Sequence, residues 1–309
     1  MTETTTAERS RTGTAVSTPR AGRLRQWWSN PWRKPRFLEA VTWGYLAWSI
    51  FPLFVAILIS FNQGRSNSSI QGLGLNWWWG DPDNSLFRDP ELHAAILQSL
   101  RLSIATMLVT VPLGVAFAIG LDRWRGRGSG TANFVMLLSF VLPEIVLGVS
   151  MFLIVVHVLK FLNLGTAAQI VGLVSYQLSY PVIIVRARLL SIGKEYEEAA
   201  MDLGAPPGHA VRRVLLPMLY PAILASFTVV FADSLDDFVT VRYLSGPATS
   251  EPLSVKIYNF TRGSPTPAIN AAATFLLFAT TLVVVLGYVA YRYTTRGQRG
   301  EGVKMFTQV

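Results

Sequence analysis

Four acidic residues lie in or beside long apolar stretches of the sequence, where a carboxylate group is costly to keep. Glu144 interrupts one such stretch, and Asp233, Asp236 and Asp237 lie close together in another. A charged side chain at the centre of a membrane span costs about 2.5–3.5 kcal/mol on insertion scales, so carboxylates kept there are candidates for a solute pathway. If one helix carries the three aspartates, their spacing places them on nearly the same face. The pattern predicts the binding of a cation.

Tyrosines in a neighbouring apolar stretch could contribute aromatic faces to the binding of a cation. The sequence places no Lys or Arg where it would neutralise these carboxylates within their own helix. Two alternatives remain open: the carboxylates lie near the outer membrane surface, or they pair with basic residues of a partner protein. The candidate pathway residues are Glu144, Tyr176, Asp233, Asp236 and Asp237, with Tyr180 as a further aromatic neighbour.

The sequence offers no set of residues for covalent or metal chemistry. It has no cysteine, which excludes disulfides and thiolate metal sites, and His93, His157 and His209 are scattered. A phosphate-binding loop of the GxxxxGKS or GxxxxGKT type is also missing. We therefore expect a chain that is not an enzyme, holds no metal or cofactor, and leaves any ATP binding to another protein.

A short polar segment at residues 194–203 stands between two apolar stretches and consists of good helix formers. Its acidic residues lie in the first turns, where the helix dipole favours them. Gly204 can provide the turn that ends the helix, and Pro206-Pro207-Gly208 prevents its continuation. Ala199 and Ala200 are small, so a partner surface can approach the helix backbone closely. We expect a water-facing helix that contacts something outside the membrane.

Composition and hydropathy indicate a chain that crosses a membrane several times. Of its 309 residues, 51% are hydrophobic and 15% are charged, against about 25% charged in ordinary soluble domains. A span takes about 20 mostly apolar residues. Six stretches are long enough, at residues 38–61, 94–121, 132–160, 166–190, 216–240 and 268–291. The fourth is the weakest, because it contains Gln169 and Gln177 and ends in arginines, and a re-entrant segment is the alternative there.

Lys and Arg residues near the ends of the spans set the orientation, because they stay preferentially on the cytoplasmic side. They are frequent before the first span, at 123–127, at 194–213 and after residue 291, and sparse in the long connections 62–93 and 241–267. We expect both termini and the polar helix inside the cell. The basic residues that give the chain its net charge of +9 are concentrated on this side of the membrane, so we do not expect nucleic-acid binding.

Two terminal segments and one loop lie outside the six spans. The composition of residues 1–37 predicts a disordered basic tail with a tryptophan-rich anchor at the membrane surface. We expect residues 293–309 to form a cytoplasmic tail. Three consecutive tryptophans at 77–79 predict part of an aromatic belt at the membrane surface. The alternative for these tryptophans is that they cover the outer mouth of the bundle or contact a partner.

The polar helix and its surroundings resemble the EAA loop of permease subunits in ABC importers. Glu198-Ala199-Ala200 is followed by Gly204 and, twelve residues after that glycine, by Leu216-Pro217, while Val214 departs from the isoleucine common there. The resemblance implies an all-α membrane protein with the six-helix transmembrane permease domain of type I ABC importers. It also implies that the loop 194–217 holds a coupling helix, which docks on an ATP-hydrolysing subunit. The coupling positions are then Glu198, Ala199, Ala200, Asp202, Gly204 and Pro217.

A narrower resemblance connects residues 38–292 to the PotC type of spermidine/putrescine permease. It is carried by residues 60–62, 142–146, 234–238, 246–247, 253–258 and 267–271. The resemblance implies a polyamine cargo, a lipid bilayer around the chain and several protein partners. These are a PotB-like second permease, two PotA-like ATP-binding subunits and a PotD-like extracytoplasmic solute-binding protein. An importer for another small solute, such as ferric iron or thiamine, is one alternative, and a non-transporting membrane scaffold is another.

Overall fold

The computed structural model describes residues 36–306 apart from 67, 68, 83, 124, 125, 127 and 264–266, with side chains from residue 37 to residue 293. The predicted N-terminal tail therefore lies almost wholly outside the described residues. The chain divides into two compact units, Met1–Pro52 and Leu53–Val309. The described part of the first unit is helical and its side chains are exposed from residue 37 onward. The second unit contains the remaining helices and the candidate sites.

Helices make up the regular structure of the described residues, which form no strand beyond one isolated bridge between Asn62 and Leu73. The α-helices are α1 Arg36–Ser60, α2 Pro90–Arg123, α3 Ser129–Val141, α4 Glu144–His157, α5 Thr166–Gln177, α6 Ser179–Ile192, α7 Glu195–Asp202, α8 Pro207–Ala210, α9 Leu216–Asp236, α10 Val239–Leu244, α11 Leu253–Arg262 and α12 Pro267–Phe306. Two π-helical turns, Asn76–Gly80 and Val211–Leu215, and a 3-10 turn, Ala248–Ser250, complete the described elements.

Five helical segments of the described chain are long and apolar enough to cross a membrane, and they match five of the predicted spans. They are Phe37–Ser60, Pro90–Arg123, Thr166–Ile192, Pro207–Asp236 and Pro267–Tyr293. The weakest predicted span, 166–190, is one of them, formed by α5 and α6 together. The predicted span 216–240 instead begins nine residues earlier, because α8, the π-helical turn and α9 follow one another without a break.

The predicted span 132–160 has a different shape from the others. It consists of α3 and α4, which meet at an angle of 109°. Leu142 and Pro143 at the junction have extended backbones, with ψ angles of 139° and 132°. A proline removes a backbone donor and disfavours helical geometry in the residue before it, which explains why the helix stops there. The predicted span 132–160 therefore consists of two helices with a sharp bend between them, and the pair can count as a sixth span.

Helix α2 packs against α5, α6 and α9, and α9 packs in turn against α6 and α12. Buried aliphatic side chains fill the contact between α2, α6 and α9, including Val111, Val115, Val182, Leu219 and Val230. Gly114 permits the close approach of α2 and α6, because a Cβ atom at this position would lie 2.3 Å from Cγ of Pro181. The helices that carry the candidate sites are thus held by a tightly packed aliphatic core.

We expect Gly114→Ala to lower the melting temperature of the purified protein in detergent. The added methyl group overpacks the contact with Pro181, a change that typically costs about 1–3 kcal/mol. Gly120→Ala on the same helix is the matched control, since its added methyl group would meet nothing within 4 Å. That control should keep or raise the melting temperature, because alanine favours helix over glycine. Equal melting temperatures for the two variants would contradict the close packing.

The end of the bundle where α2 begins is closed by aromatic packing. Trp77 and Trp78 are only 3% and 8% exposed and belong to a buried cluster. Phe61 stacks on Trp78 with ring centroids 5.6 Å apart, and Trp79 stacks on Phe87 at 4.9 Å. The predicted aromatic belt is therefore wrong for Trp77 and Trp78, because apolar packing within the protein covers their rings.

An ionic cluster lies at this same end of the bundle. Lys256 of α11 binds Glu91 at 3.0 Å and Glu251 at 3.5 Å. Burial acts to lower the pKa of Lys256, but the two carboxylates outweigh it and the pKa is raised. The ammonium group therefore stays charged and links α11 to the first turn of α2.

Candidate functional site

The bend in the third predicted span brings Glu144 to the junction between α9 and α10. Glu144 is the first residue of α4, and α4 packs along α10. The contact is close at Gly148, where a Cβ atom would lie 3.2 Å from the Tyr243 ring and 3.5 Å from Cγ1 of Val239. The first turn of α4 consequently lies beside the residues that connect α9 to α10.

The four predicted carboxylates come together at this junction from two parts of the chain, the start of α4 and the end of α9 with the residue after it. Glu144 lies close enough to Asp233, Asp236 and Asp237 to interact electrostatically with each of them. Among the residues that the structure describes, none of the four forms an ion pair with a basic side chain. Four carboxyl groups without a basic partner among the described residues make this junction suited to binding cations.

Asp237 does not share the helix face of Asp233, contrary to the sequence-based expectation. Helix α9 ends at Asp236, and Asp237 follows with an extended ψ angle of 130°. Its Oδ1 accepts a hydrogen bond from the backbone N–H of Val241 at 3.1 Å, and its carbonyl accepts one from the Ser254 hydroxyl at 2.6 Å. Asp237 therefore provides an acceptor for a backbone N–H in the first turn of α10. Asp237 is buried, whereas Asp236 is exposed.

Asp233 is held in place by a residue that the sequence interpretation treated only as a weakness of its span. Nε2 of Gln177 donates a hydrogen bond to Oδ2 of Asp233 at 2.8 Å, and the Ser234 hydroxyl donates one to Oε1 of Gln177 at 2.7 Å. Gln177 is fully buried at the end of α5. The sequence did contain a signal for this contact, namely a glutamine inside an apolar span, because a buried amide side chain needs hydrogen-bond partners.

Tyr176 and Tyr180 lie next to this carboxylate, as the sequence suggested. Their hydroxyl oxygens are 3.2 Å apart, and their rings meet edge to face with centroids 6.0 Å apart. Tyr180 lies near Asp233 and packs edge to face on Phe140. Aromatic rings beside carboxylates provide two kinds of attraction for an ammonium group.

A cavity of about 390 Å³ opens beside Tyr176 between α3, α4, α5 and α10. Its wall combines apolar side chains with the hydroxyl groups of Ser139, Ser150, Ser175 and Thr240. The volume falls within the range of about 300–1,000 Å³ that is usual for small-molecule sites. Glu144 lies one helical turn before Leu147, which lines the cavity, so the carboxylates and the cavity are neighbours.

The second candidate site is the loop 194–217, which has the predicted local structure. Helix α7 ends at Asp202, and the N–H of Gly204 donates to the carbonyl of Met201 at 2.9 Å. Gly204 has a φ angle of +89°, a conformation that side chains disfavour, so the predicted turn at this glycine is confirmed. The break at the following prolines is confirmed as well, since Pro206 caps α8 and Pro207 begins it.

Most of α7 faces away from the bundle. Glu198, Ala199 and Asp202 are exposed, and Ala200 is half-buried. Apolar side chains are exposed as well, with Leu203 90% exposed, Tyr196 53% and Met201 39%. Exposed apolar residues grouped on one short helix are typical of a surface that binds another protein. Within the described residues, no group of acidic, histidine or cysteine side chains could hold a metal ion here or elsewhere.

One continuous helix, α9, joins the two candidate sites. Pro217 lies in the first turn of α9 and Asp233 lies in its last turn. Asp233 lies sixteen positions after Pro217, which corresponds to roughly 24 Å along the helix axis. A displacement of the loop at one end of α9 can therefore reach the carboxylates at the other end.

Curated relatives are similar to this chain in sequence over most of its length. The PotC permease protein of the spermidine/putrescine transport system of Escherichia coli (strain K12) is 29% identical over 255 residues, 82% of this chain and 94% of the relative. The PotI permease protein of the putrescine transport system of the same organism is 29% identical over 276 residues, 87% of this chain and 93% of the relative.

Solved structures of bacterial transporters have the same fold. A chain of an ABC transporter involved in the import of the acidic polysaccharide alginate superposes with a TM-score of 0.66 at 18% identity, covering 88% of this chain and 98% of that one. A chain of the MetNI methionine ABC transporter superposes with a TM-score of 0.54 at 20% identity, covering 66% of this chain and 94% of that one.

The family pattern described as binding-protein-dependent transport system inner membrane component matches residues 110–300, which include the bent span, the loop 194–217 and α9. The match extends over more than half of the sequence, and the helical fold agrees with it. The chain therefore belongs to this family and is a membrane-embedded permease subunit of an ABC importer.

Proposed function

We propose that this permease takes up polyamines such as spermidine and putrescine. The observation that carries the proposal is the convergence of Glu144, Asp233, Asp236 and Asp237, without a basic partner among the described residues, beside Tyr176. Polyamines carry several ammonium groups on a flexible apolar chain, so a cluster of carboxylates beside a partly apolar cavity matches their chemistry. The names of the PotC and PotI relatives support the same cargo.

The proposed assembly has four kinds of subunit. This chain and a PotB-like second permease form the pathway, and a PotD-like extracytoplasmic protein delivers the solute. Two PotA-like subunits bind ATP, so this chain itself is non-catalytic and needs no cofactor. The crystallised alginate transporter in complex with its solute-loaded periplasmic protein supports an assembly of this type.

The proposed coupling surface lies within the loop 194–217 and docks on an ATP-binding subunit. Its contact positions are Glu198, Ala199, Ala200, Asp202 and Gly204, and Pro217 connects the loop to α9. The exposure of Ala199 and Leu203 supports this role, because a partner can reach the helix backbone there. Movement of the docked loop would tilt α9 and thereby open or close the carboxylate site to one side of the membrane.

The proposed location is the inner membrane of a bacterium, with both termini and the coupling loop in the cytoplasm. The frequency of Lys and Arg on that side supports this orientation. Residues 38–292 form the transmembrane domain, residues 1–37 are a cytoplasmic tail with an anchor at the membrane surface, and residues 293–309 are a second cytoplasmic tail. The connections 62–93 and 241–267 then face the solute-binding protein.

Uptake by the reconstituted complex tests the proposal. Proteoliposomes containing both permeases and the ATP-binding subunits, supplied with the binding protein, should accumulate radiolabelled putrescine or spermidine when ATP is present. The chain alone should hydrolyse no ATP. Accumulation of thiamine or ferric iron instead of polyamine would identify a different cargo, and an assembled complex that accumulates none of these solutes would favour a scaffold.

A further inference from the structure

Helix α7 is attached to the bundle by an ion pair that neither the sequence pattern nor the family role of the loop includes. Nη2 of Arg123 lies 2.6 Å from Oε1 of Glu197, and Nη1 of the same guanidinium lies 2.7 Å from Oδ2 of Asp122. Arg123 is the last residue of α2, and Glu197 lies in the first turn of α7. The guanidinium group thus bridges a carboxylate of the span and a carboxylate of the loop helix.

Glu197 differs from the other acidic residues of α7. It is 8% exposed, whereas Glu195, Glu198 and Asp202 are all exposed. A buried carboxylate needs a partner, and Arg123 is the partner that the structure provides. The position of Arg123 is itself favourable, because a cation at the C-terminal end of α2 interacts well with the helix dipole.

The remaining contacts of α7 are local in the sequence. The helix packs mainly against α8 and the π-helical turn Val211–Leu215, both of which belong to the same loop. Within the described part of the chain, the bond between Arg123 and Glu197 is the one side-chain hydrogen bond that joins α7 to a membrane span. Without it, α7 would be connected to the spans mainly through its own chain ends and could tilt against them.

We propose that the pair of Arg123 and Glu197 is a second mechanical link between the coupling loop and the bundle. It acts on α2, while the chain itself acts on α9 through Pro217. Since α2 and α9 pack against each other along the aliphatic core, a loop fixed to both moves them as one body. Arg123 and Glu197 are positioning residues, and the inference rests on the proposed docking of the loop on an ATP-binding subunit.

The test compares uptake with ATP hydrolysis in proteoliposomes that contain the whole complex. The variants are Arg123→Ala, Glu197→Gln and the reversed pair Arg123→Glu with Glu197→Arg. Glu195→Gln is the matched control, because it removes the same charge from an exposed position in the same turn of α7. Each protein is also checked for assembly by size-exclusion chromatography.

Complexes with either single variant should take up about fivefold less solute per ATP hydrolysed. A loss of this size is within the range expected when a residue that couples two distant sites is substituted. The Glu195→Gln control should stay within about twofold of the wild type, as surface substitutions usually do. The reversed pair should regain at least about half of the wild-type ratio, since it keeps one charge of each sign but places an acid at the end of α2.

Each of the following outcomes either supports or overturns the proposed link between Arg123 and Glu197. Single variants that assemble and keep the wild-type ratio would overturn the inference while leaving the proposed function intact. If the single variants fail to assemble, the reversed pair decides: recovery of both assembly and ratio supports the link, and recovery of assembly alone, or of neither, overturns it. A wild-type complex that accumulates no solute would remove the proposed function, and this inference with it.

Discussion

Gly204→Asp is expected to leave membrane insertion and assembly of the chain intact while reducing ATP-dependent uptake roughly tenfold or more. Two physical effects combine at this residue. The φ angle of +89° is strained for any residue with a side chain, at a cost on the order of 1–3 kcal/mol, so the turn after α7 shifts. The new carboxylate would also stand on the surface proposed to meet the ATP-binding subunit.

Two further variants separate these effects. Gly204→Ala introduces the backbone strain without the charge, and it should reduce uptake less than Gly204→Asp does. Gly208→Ala adds the same methyl group in the same loop, where the backbone is helical and nothing lies within 4 Å, so it should transport normally. Uptake is measured in proteoliposomes at matched protein content. Normal uptake by Gly204→Asp would show that the loop does not couple.

Asp233→Asn is expected to lower polyamine uptake by about tenfold while ATP hydrolysis stimulated by the binding protein changes much less. The substitution removes one negative charge but keeps an oxygen that can accept the hydrogen bond from Gln177, so the local structure should persist. A hydrogen bond to a charged group contributes about 1.5–3 kcal/mol, and losing one with the ammonium of the cargo accounts for the expected drop.

Glu144→Gln tests the same site from the other side of the junction and, like Asp233→Asn, should lower polyamine uptake. Glu195→Gln, an equal change of charge at an exposed position of α7, should leave uptake unchanged. Initial rates at several polyamine concentrations show whether affinity or turnover is affected. If Asp233→Asn and Glu144→Gln both transport polyamine as the wild type does, the carboxylates do not bind the cargo and the argument for a cationic solute fails.

Features controlled by nearby residues could be predicted from the sequence. Long apolar runs correctly predicted five helical spans. A chain that crosses a bilayer must pair its backbone N–H and C=O groups internally, and a helix does so within a single segment. Gly204 marked the turn after α7, and Pro206-Pro207 marked the break before α8, since the conformations of glycine and proline depend mainly on their own backbones.

Features that depend on contacts between distant residues could not be predicted. Arg123 and Glu197 are 74 positions apart, and Gln177 and Asp233 are 56 apart, so no periodic pattern connects them. Helix α9 ends at Asp236, four residues before the predicted end of its span at residue 240, and burial among aromatic rings overrode the preference of Trp77 and Trp78 for a membrane surface. Pro143 signalled a disturbance but not a turn of 109°.

The sharp turn at Leu142-Pro143 also has a consequence for hydration. A helix that starts at Glu144 begins with amide groups that have no acceptor within that helix, and α3 ends with carbonyl groups that have no donor within theirs. Lipid tails offer no hydrogen bonds to such groups, and exposed irregular backbone is tolerated at membrane depth only against protein or water. The turn therefore needs protein or water beside it. Water in the cavity of about 390 Å³ that Ser139 and Leu147 line would serve these groups, and an entering polycation would then exchange bulk solvent for a local aqueous compartment rather than for hydrocarbon.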